Sequence, residues 1–415
     1  MRFRIHRGSH EIGGNCVEVE AEGRRILLDI GRPLDPEVDP VAAVPDVVGL
    51  RGEPDPSLLG VILSHGHLDH HGLLPLIASH VSVYAGREAA AIANAAAPFL
   101  REPVRIDPAA FLEDGVPLVL GPFGITPYRA DHSAFGAFSL VIEAGGRTLV
   151  YSGDFRSHGR TRAFRDFLRR IPRRPDVLLL EGTSLGQNVP LDGRAKSERE
   201  LERDLTDEIR AARGLVLVAF SPQNVDRWVT VYRATLRAGR TFVGDLYGEE
   251  IALATGRRTI PHGGFERYEV LVPSRQRARM IDAGMVPRVE RVRPWRVFPE
   301  KLADRRRELV LAFRAGTIAD LERHDCLEDA LLIWSQWRGY LEDGRSPAVL
   351  DFLKRHGMPH VVQHTSGHAA PADLRRLAET IRPKTLVPMH GVAPERFREF
   401  FPDVTVAAAG AWMEL

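Results

Sequence analysis

SHGHLDHHG, residues 64–72, places four histidines and an aspartate within the seven positions from His65 to His71. The stretch follows the apolar run Val61-Ile62-Leu63. It precedes Gly72-Leu73-Leu74-Pro75-Leu76-Ile77, which reads as the start of a buried helix over 72–80. Histidine and aspartate pack a core poorly, because each demands polar partners once buried. Both are good donors to a divalent cation, neutral imidazole and carboxylate suiting zinc and manganese. Whether the rest of the chain completes such a site decides the reading.

Working outward, the first 180 residues are dense in short strand-like runs. CVEVE (16–20) alternates, while RILLDI (25–30) and VILS (61–64) are nearly continuous. FSLVIE (138–143), TLVYS (148–152) and DVLLLE (176–181) follow, with Gly-rich turns between some of them. A helix over 87–97 accompanies them, and the pattern predicts an α/β sandwich with helices outside layered sheets. Metal-competent residues recur at the ends of these runs. Asp29 ends RILLD, His132 follows ITPYRAD, Asp154 follows LVYSG and Glu181 ends DVLLLE. His368 follows HVVQHTSG and His390 follows TLVPM. Strand-end loops gather at one edge of a sheet, where ligand sites of α/β folds lie. One histidine at a strand end is ordinarily structural; seven such positions, counting the cluster after VILS, are hard to ascribe to chance.

Around residue 190 the character changes. SERELERDLTDEIRAAR (197–213) is a charged amphipathic helix, followed by strand LVLVAF (215–220) and helix QNVDRWVTVYRATLRAG (223–239), a parallel βαβ pattern. Residues 271–300 carry seven arginines against three acids and fit no regular element. After about 355 short strands return, HVVQ (360–363) and TLVPM (385–389), around a helix at 372–381. The expected boundaries are 1–190, an insertion 191–354, and a return segment 355–415.

With 415 residues, 44% of them apolar and 27% charged, the composition is that of a globular protein. A formal charge of +1 leaves no global field to recruit nucleic acid or membrane. Lys196, Lys301, Lys354 and Lys384 are the only lysines, so the positive charge is carried by arginine, whose planar fork suits phosphate. Cys16 and Cys326 are the only cysteines, which excludes a disulfide framework or a Cys-rich zinc knuckle. The N-terminus Met-Arg-Phe-Arg-Ile-His lacks a signal-like apolar stretch, and no apolar run reaches the roughly 18 residues that span a bilayer. A cytoplasmic protein is expected.

The H-x-H-x-D-H pattern at 65–70 resembles the signature of the metallo-β-lactamase fold. Glu181 in LLLEGTS, His368 in TSGHA and His390 in VPMHG resemble the three motifs of the β-CASP nucleases. FSPQNVDRW (220–228) with LRAGR (236–240) is similar to a nucleotide-contacting helix of the ribonuclease J branch. The resemblance implies an αββα metallo-β-lactamase sandwich carrying an inserted β-CASP α/β domain. It covers roughly 1–245 and 355–415 and fades over 246–330. With the sequence ending soon after its last strands, the additional C-terminal domain typical of ribonuclease J is expected to be lacking.

By that resemblance His65, His67 and His132 hold one divalent ion, zinc or manganese. Asp69, His70 and His390 hold a second, Asp154 bridges both, and Asp29 orients ligands from behind. The implied activity is metal-dependent phosphodiester hydrolysis of nucleic acid, from the 5′ end, internally, or both. His368 is the expected general acid toward the leaving 3′-oxygen, with Glu181 orienting it. Ser221, Asn224, Arg227 and Ser366 are the expected substrate-binding residues, near a helix N-terminus and in the SGHA motif. Trp334, Trp337 and Tyr340 read either as base-stacking groups or, with the greater weight, as core. The expected partners are single-stranded RNA ahead of DNA, no membrane, and a second copy of the chain. Two alternatives stay open. A small-molecule hydrolase on the same fold leaves the insertion and His368 unexplained; a non-catalytic RNA-binding relative sits badly with a complete donor set.

Overall fold

The computed structural model describes residues 1–186 and 190–415. Two compact units emerge. One comprises Met1–Asn94, Val104–Ala195 and Gly367–Leu415; the other comprises Ala95–Pro103 and Lys196–Ser366.

In the first unit two sheets face each other. One runs in the order Met413–Glu414, Arg2–Arg7, Cys16–Ala21, Arg24–Leu28, Leu58–Ile62, Val83–Gly86, Ala110–Leu112. The other runs Thr385–Met389, Val177–Glu181, Arg147–Tyr151, Phe138–Ala144, Phe123–Arg129, Leu118–Leu120. The period of two along each strand sorts side chains between layers. Ile26 and Leu28 enter the core between the sheets, with Phe3, Val17, Ile125, Leu140, Ile142 and Leu179. Leu27 and Val61 point the other way, onto Ala90 and Ala93 of the helix Arg87–Ala96. Val150 and Leu178 likewise meet Phe164, Phe167, Leu374 and Leu377 of the helices Ala163–Arg170 and Pro371–Ile381. The result is helix, sheet, sheet, helix, the expected αββα order. Each fully buried Leu or Phe there is worth about 1.5–3 kcal/mol relative to exposure.

Register decides where the loops go. Arg24–Leu28 and Leu58–Ile62 are parallel, as are Arg147–Tyr151, Val177–Glu181 and Thr385–Met389. Phe123–Arg129 joins the same direction through two antiparallel pairings by way of Phe138–Ala144. The segments after these strands carry Asp29, the histidine cluster, Asp154, His390 and His132, and Glu181 ends its own strand.

The inserted unit is a seven-stranded parallel sheet. Its order is Arg296–Val297, Tyr268–Leu271, Thr241–Asp245, Leu309–Phe313, Val216–Ala219, Leu331–Trp334, His360–Val362. Strands buried on both faces read as unbroken apolar runs such as VLVA and LVLAF. The predicted βαβ unit is present, but Leu309–Phe313 lies between its two strands.

Three expectations are corrected. The helix over 72–80 does not form. The histidine run itself makes a short turn, Leu68–His71, and Leu74–Leu76 is a 3-10 turn led by Leu73 with Pro75 in its first positions. Pro75 has no N–H to continue an α-helix, so the apolar run 73–77 packs as loop. The return to the first unit comes at 366/367 rather than 355, because His360–Val362 hydrogen-bonds to Leu331–Trp334 as the edge of the inserted sheet. The arginine-rich stretch 271–300 does hold regular elements, the helices Ser274–Asp282 and Val286–Arg291. Several of its arginines are engaged within the unit: Arg279 donates to the Phe99 carbonyl, and Arg288 and Arg291 pair with Glu250. Trp334 is core, as the weightier reading had it, whereas Trp337 is exposed.

Candidate metal centre

The seven expected donors converge. Donor atoms of His65, His67 and His132 lie within 4.8 Å of one another, and so do those of Asp69, His70, Asp154 and His390. Asp154 is the hub. Its Oδ2 is 3.1 Å from His70 Nε2, 3.7 Å from His65 Nε2 and 3.9 Å from His132 Nε2; its Oδ1 is 3.2 Å from His390 Nδ1. Asp69 Oδ2 is 3.8 Å from His390 Nε2 and 4.0 Å from His70 Nε2.

The ring atoms facing away from this centre are engaged. His70 Nδ1 is 2.7 Å from Asp29 Oδ2, His65 Nδ1 is 3.0 Å from Ser64 Oγ, and His132 Nδ1 is 2.6 Å from the Gly367 carbonyl. Asp29 also accepts from Ser64 N, Ser64 Oγ and Tyr151 Oη at 2.6–2.7 Å. Its backbone, and that of His390, takes a left-handed conformation (φ 61° and 51°), a strain held by the buried contacts around it. By contrast, His65 Nε2, His390 Nε2 and Asp154 Oδ1 are buried without a hydrogen-bond partner among the described residues. Buried polar atoms normally find partners. Unpaired imidazole nitrogens beside carboxylate oxygens, with their far sides fixed by acceptors, form a donor set that fits divalent cations.

For His65, His67 and His132 the electrostatics agree with that fit, whereas at His70 Asp154 and Asp29 override burial and raise the ring well above the ordinary value. Burial, with neighbouring imidazoles, pushes His65 and His132 well below the ordinary histidine value and His67 to about 4. These rings are neutral, the form that ligates. Burial opposes the charge of Asp154, but His390, His70 and His368 override it and hold the carboxyl well below its usual range. His71, the remaining histidine of the motif, faces elsewhere. Its Nδ1 is 2.8 Å from the His67 carbonyl, and burial lowers it to about 4.

His368 stands at the edge of the cluster, its side chain 22% exposed where the other histidines of the centre other than His67 are buried. Its Nδ1 is 3.2 Å from Thr183 Oγ1 and 3.6 Å from both Glu181 Oε2 and Asp154 Oδ2. Burial would lower its pKa, but Glu181 and Asp154 override that and raise it to about 9. Glu181 accepts the backbone N–H groups of Ala369 (3.1 Å), Thr183 (3.2 Å) and Phe155 (3.4 Å), so one carboxylate fixes the loops after Asp154 and His368.

Sequence reasoning missed several supports. Asn15 Nδ2 lies 2.8 Å from His390 Nδ1, and Tyr151 and Ser64 hold Asp29. Arg156 pairs with Asp131 through Nε–Oδ1 at 3.1 Å, tying the residue before His132 to the loop after Asp154. Tyr151 lies within the quoted LVYSG and Arg156 three residues after it, which was the only available signal. Of the four expected substrate residues, Ser221 is exposed and Ser366 half-buried, while Asn224 caps the helix Val225–Arg237 by accepting from Arg227 N. Arg227 departs from expectation: it is fully buried and engaged by protein groups. All four belong to the inserted unit.

Residues 35–212 match the family described as beta-lactamase superfamily domain, and 359–396 match the Zn-dependent metallo-hydrolase RNA specificity domain. Ribonuclease J of Mycobacterium tuberculosis is 24% identical over 94% of this chain and 69% of its own length. Ribonuclease J of Mycoplasma pneumoniae is 22% identical over 92% of this chain and 66% of its own. The chain is similar to ribonuclease J proteins over most of its length and carries a beta-lactamase superfamily domain. It spans about two thirds of those relatives. A crystal structure of a protein of unknown function from Enterococcus faecalis V583 shares the fold, with TM-score 0.80, 21% identity and 100% and 99% of the two chains covered.

Replacing Asp29 by Asn puts an amide where His70, Ser64 and Tyr151 all donate. An orienting group of this kind typically contributes about 10–100-fold in metal affinity. Competition titration of Asp29→Asn with a chromophoric chelator is expected to read such a loss; unchanged affinity would remove Asp29 from the site.

Proposed function

We propose that the protein is a metal-dependent phosphodiesterase that hydrolyses RNA, holding two divalent ions, zinc or manganese. The carrying observation is the convergence of seven donors in two groups that share Asp154 as neighbour, with buried nitrogens lacking hydrogen-bond partners among the described residues. The matched RNA specificity domain and the ribonuclease J relatives supply the substrate class. His65, His67 and His132 would hold one ion, Asp69, His70 and His390 the other, with Asp154 between them. Ions there supply Lewis acidity, stabilising charge on phosphoryl oxygens and lowering the pKa of water toward about 7.

The chain's own groups do the rest. Glu181 and Asp154 favour the protonated form of His368, which is reachable from solvent and would donate its proton to the leaving 3′-oxygen. Glu181 and Thr183 orient the ring through Nδ1. Ser366, two residues upstream, would meet the substrate phosphate.

Purified protein should carry close to two zinc or manganese ions per chain by mass spectrometry, and chelation should abolish cleavage of single-stranded RNA carrying a 5′-monophosphate. Matched DNA under the same metal and salt should be cut more slowly, because the 2′-hydroxyl both donates and accepts hydrogen bonds. Cleavage by metal-free protein would end the metal reading. DNA cut as fast as RNA would end the sugar preference and leave the chemistry standing.

A further inference from the structure

Arg227 has no arm left for a phosphate. Its side chain and that of Glu198 are fully buried, and they pair at 3.0 Å (Nη2–Oε1) and 3.3 Å (Nε–Oε2). Thr230 Oγ1 donates to the same carboxylate at 2.7 Å. The rest of the guanidinium faces the segment 363–365 and its neighbour Ser335. Nη2 donates to the Thr365 carbonyl at 3.0 Å, and Nη1 to Ser335 O at 2.6 Å and Ser335 Oγ at 2.8 Å, with His364 Nδ1 at 3.3 Å. Ser335 Oγ relays the grip to the Gln363 carbonyl at 2.6 Å, and Thr365 Oγ1 donates to the Lys196 carbonyl at 2.5 Å. A guanidinium has five N–H groups in a fixed fork, and here that fork is filled.

What it grips matters. Glu198 opens the helix just after the chain enters the inserted unit at 195/196, and Thr365 lies just before it leaves at 366/367. Within that unit the entering and leaving stretches are therefore bolted together by one buried ion pair. Downstream of Thr365 come Ser366, Gly367 and His368. Gly367 is fixed in the first unit: its carbonyl accepts from His132 Nδ1 at 2.6 Å, and a Cβ there would fall 2.4 Å from Ser133 Oγ.

We propose that the Arg227–Glu198 pair is a positioning device for His368, setting the backbone from which the proton donor is presented. This rests on the reading of His368 as general acid. A buried ion pair is poor evidence of stability, since apolar replacements of similar volume are often neutral or better, whereas removing one partner strands a charge. The informative variant is therefore the double Arg227→Met/Glu198→Leu.

Two substrates read it out. Cleavage of RNA expels an alkoxide that needs a proton, whereas bis-p-nitrophenyl phosphate expels a stabilised phenolate that does not. The double variant should fold, keep its metal, and lose at least about tenfold in kcat on RNA with KM unchanged, part of the about 10²–10⁴-fold a positioned acid supplies. Its rate on the p-nitrophenyl ester should stay near wild type, the same signature as His368→Ala. Arg227→Lys should not rescue, because a single ammonium cannot span Glu198 and the Thr365 carbonyl.

Equal losses on both substrates would mean general damage and overturn the proposal. A raised KM for RNA at constant kcat would make Arg227 a substrate contact, also overturning it. Should the double variant fail to fold, Ser335→Ala removes the hydroxyl that accepts from Arg227 Nη1 and relays to the Gln363 carbonyl, leaving the pair with Glu198 in place. It should lower kcat on RNA severalfold at an unchanged Tm, and wild-type kcat there would overturn the proposal. His368→Ala run in parallel separates the layers. Full RNA cleavage by it sinks the general-acid reading, while slow cleavage beside a fast double variant sinks only the positioning role.

Discussion

Asp154→Ala is expected to abolish RNA cleavage while leaving a folded chain with depleted metal. Its two oxygens face His65, His70, His132, His368 and His390 at 3.1–3.9 Å, so it serves both groups of donors. Loss of several kcal/mol of transition-state stabilisation, at about 1.4 kcal/mol per decade of rate, amounts to at least about a thousandfold. Circular dichroism checks the fold, mass spectrometry the metal, and end-labelled RNA the rate. Fold should survive: removing a buried anion is costly, but His65, His132 and His390 are neutral, and the raised His70 and His368 keep Asp29 and Glu181 as counter-charges. Wild-type metal content together with wild-type cleavage would dissolve the proposed centre.

His368→Ala should behave differently. Metal content should stay near wild type, because the seven donors of the two groups remain, while kcat on RNA falls by about 10²–10⁴-fold. The pH profile gives the sign. Glu181 and Asp154 raise His368 to about 9, so the ring is protonated through neutrality and the proton is lost as pH rises through its pKa. Bound cations would pull that value down toward neutrality, which moves the limb without changing its direction. Wild-type kcat should therefore decline on the alkaline side, and His368→Ala should lack that limb. Because His132, Asp154 and His368 can also be grouped around one ion, metal loss equal to that of Asp154→Ala would make His368 a ligand.

Much of the first unit was legible because its information is local. Period-two runs such as FSLVIE map directly onto strands, and short loops place whatever follows a parallel strand at one edge. That is why His65, His132, Asp154 and His390, scattered over more than three hundred positions, are legible as one group from their strand-end places. The helical expectation at 72–80 failed for an equally local reason. Apolar content alone cannot distinguish a helix from a packed loop, and Pro75 settled it.

What tertiary structure alone decided is pairing. HVVQ looked like a returning strand of the first unit, and only its hydrogen bonds to Leu331–Trp334 assign it to the inserted sheet. Asn15 beside His390 and Tyr151 beside Asp29 lie too far apart in sequence for any periodicity to link them. Arg227 is the sharpest case. An arginine in the first turn of a helix suits a phosphate as well as a buried carboxylate. The choice is set by Glu198, Ser335 and Thr365, contributed by three other segments of the chain. A sequence fixes which side chains carry charge and which face of a strand or helix each occupies. Which of them meet, and whether a charge ends in solvent or in a core, follows from long-range packing.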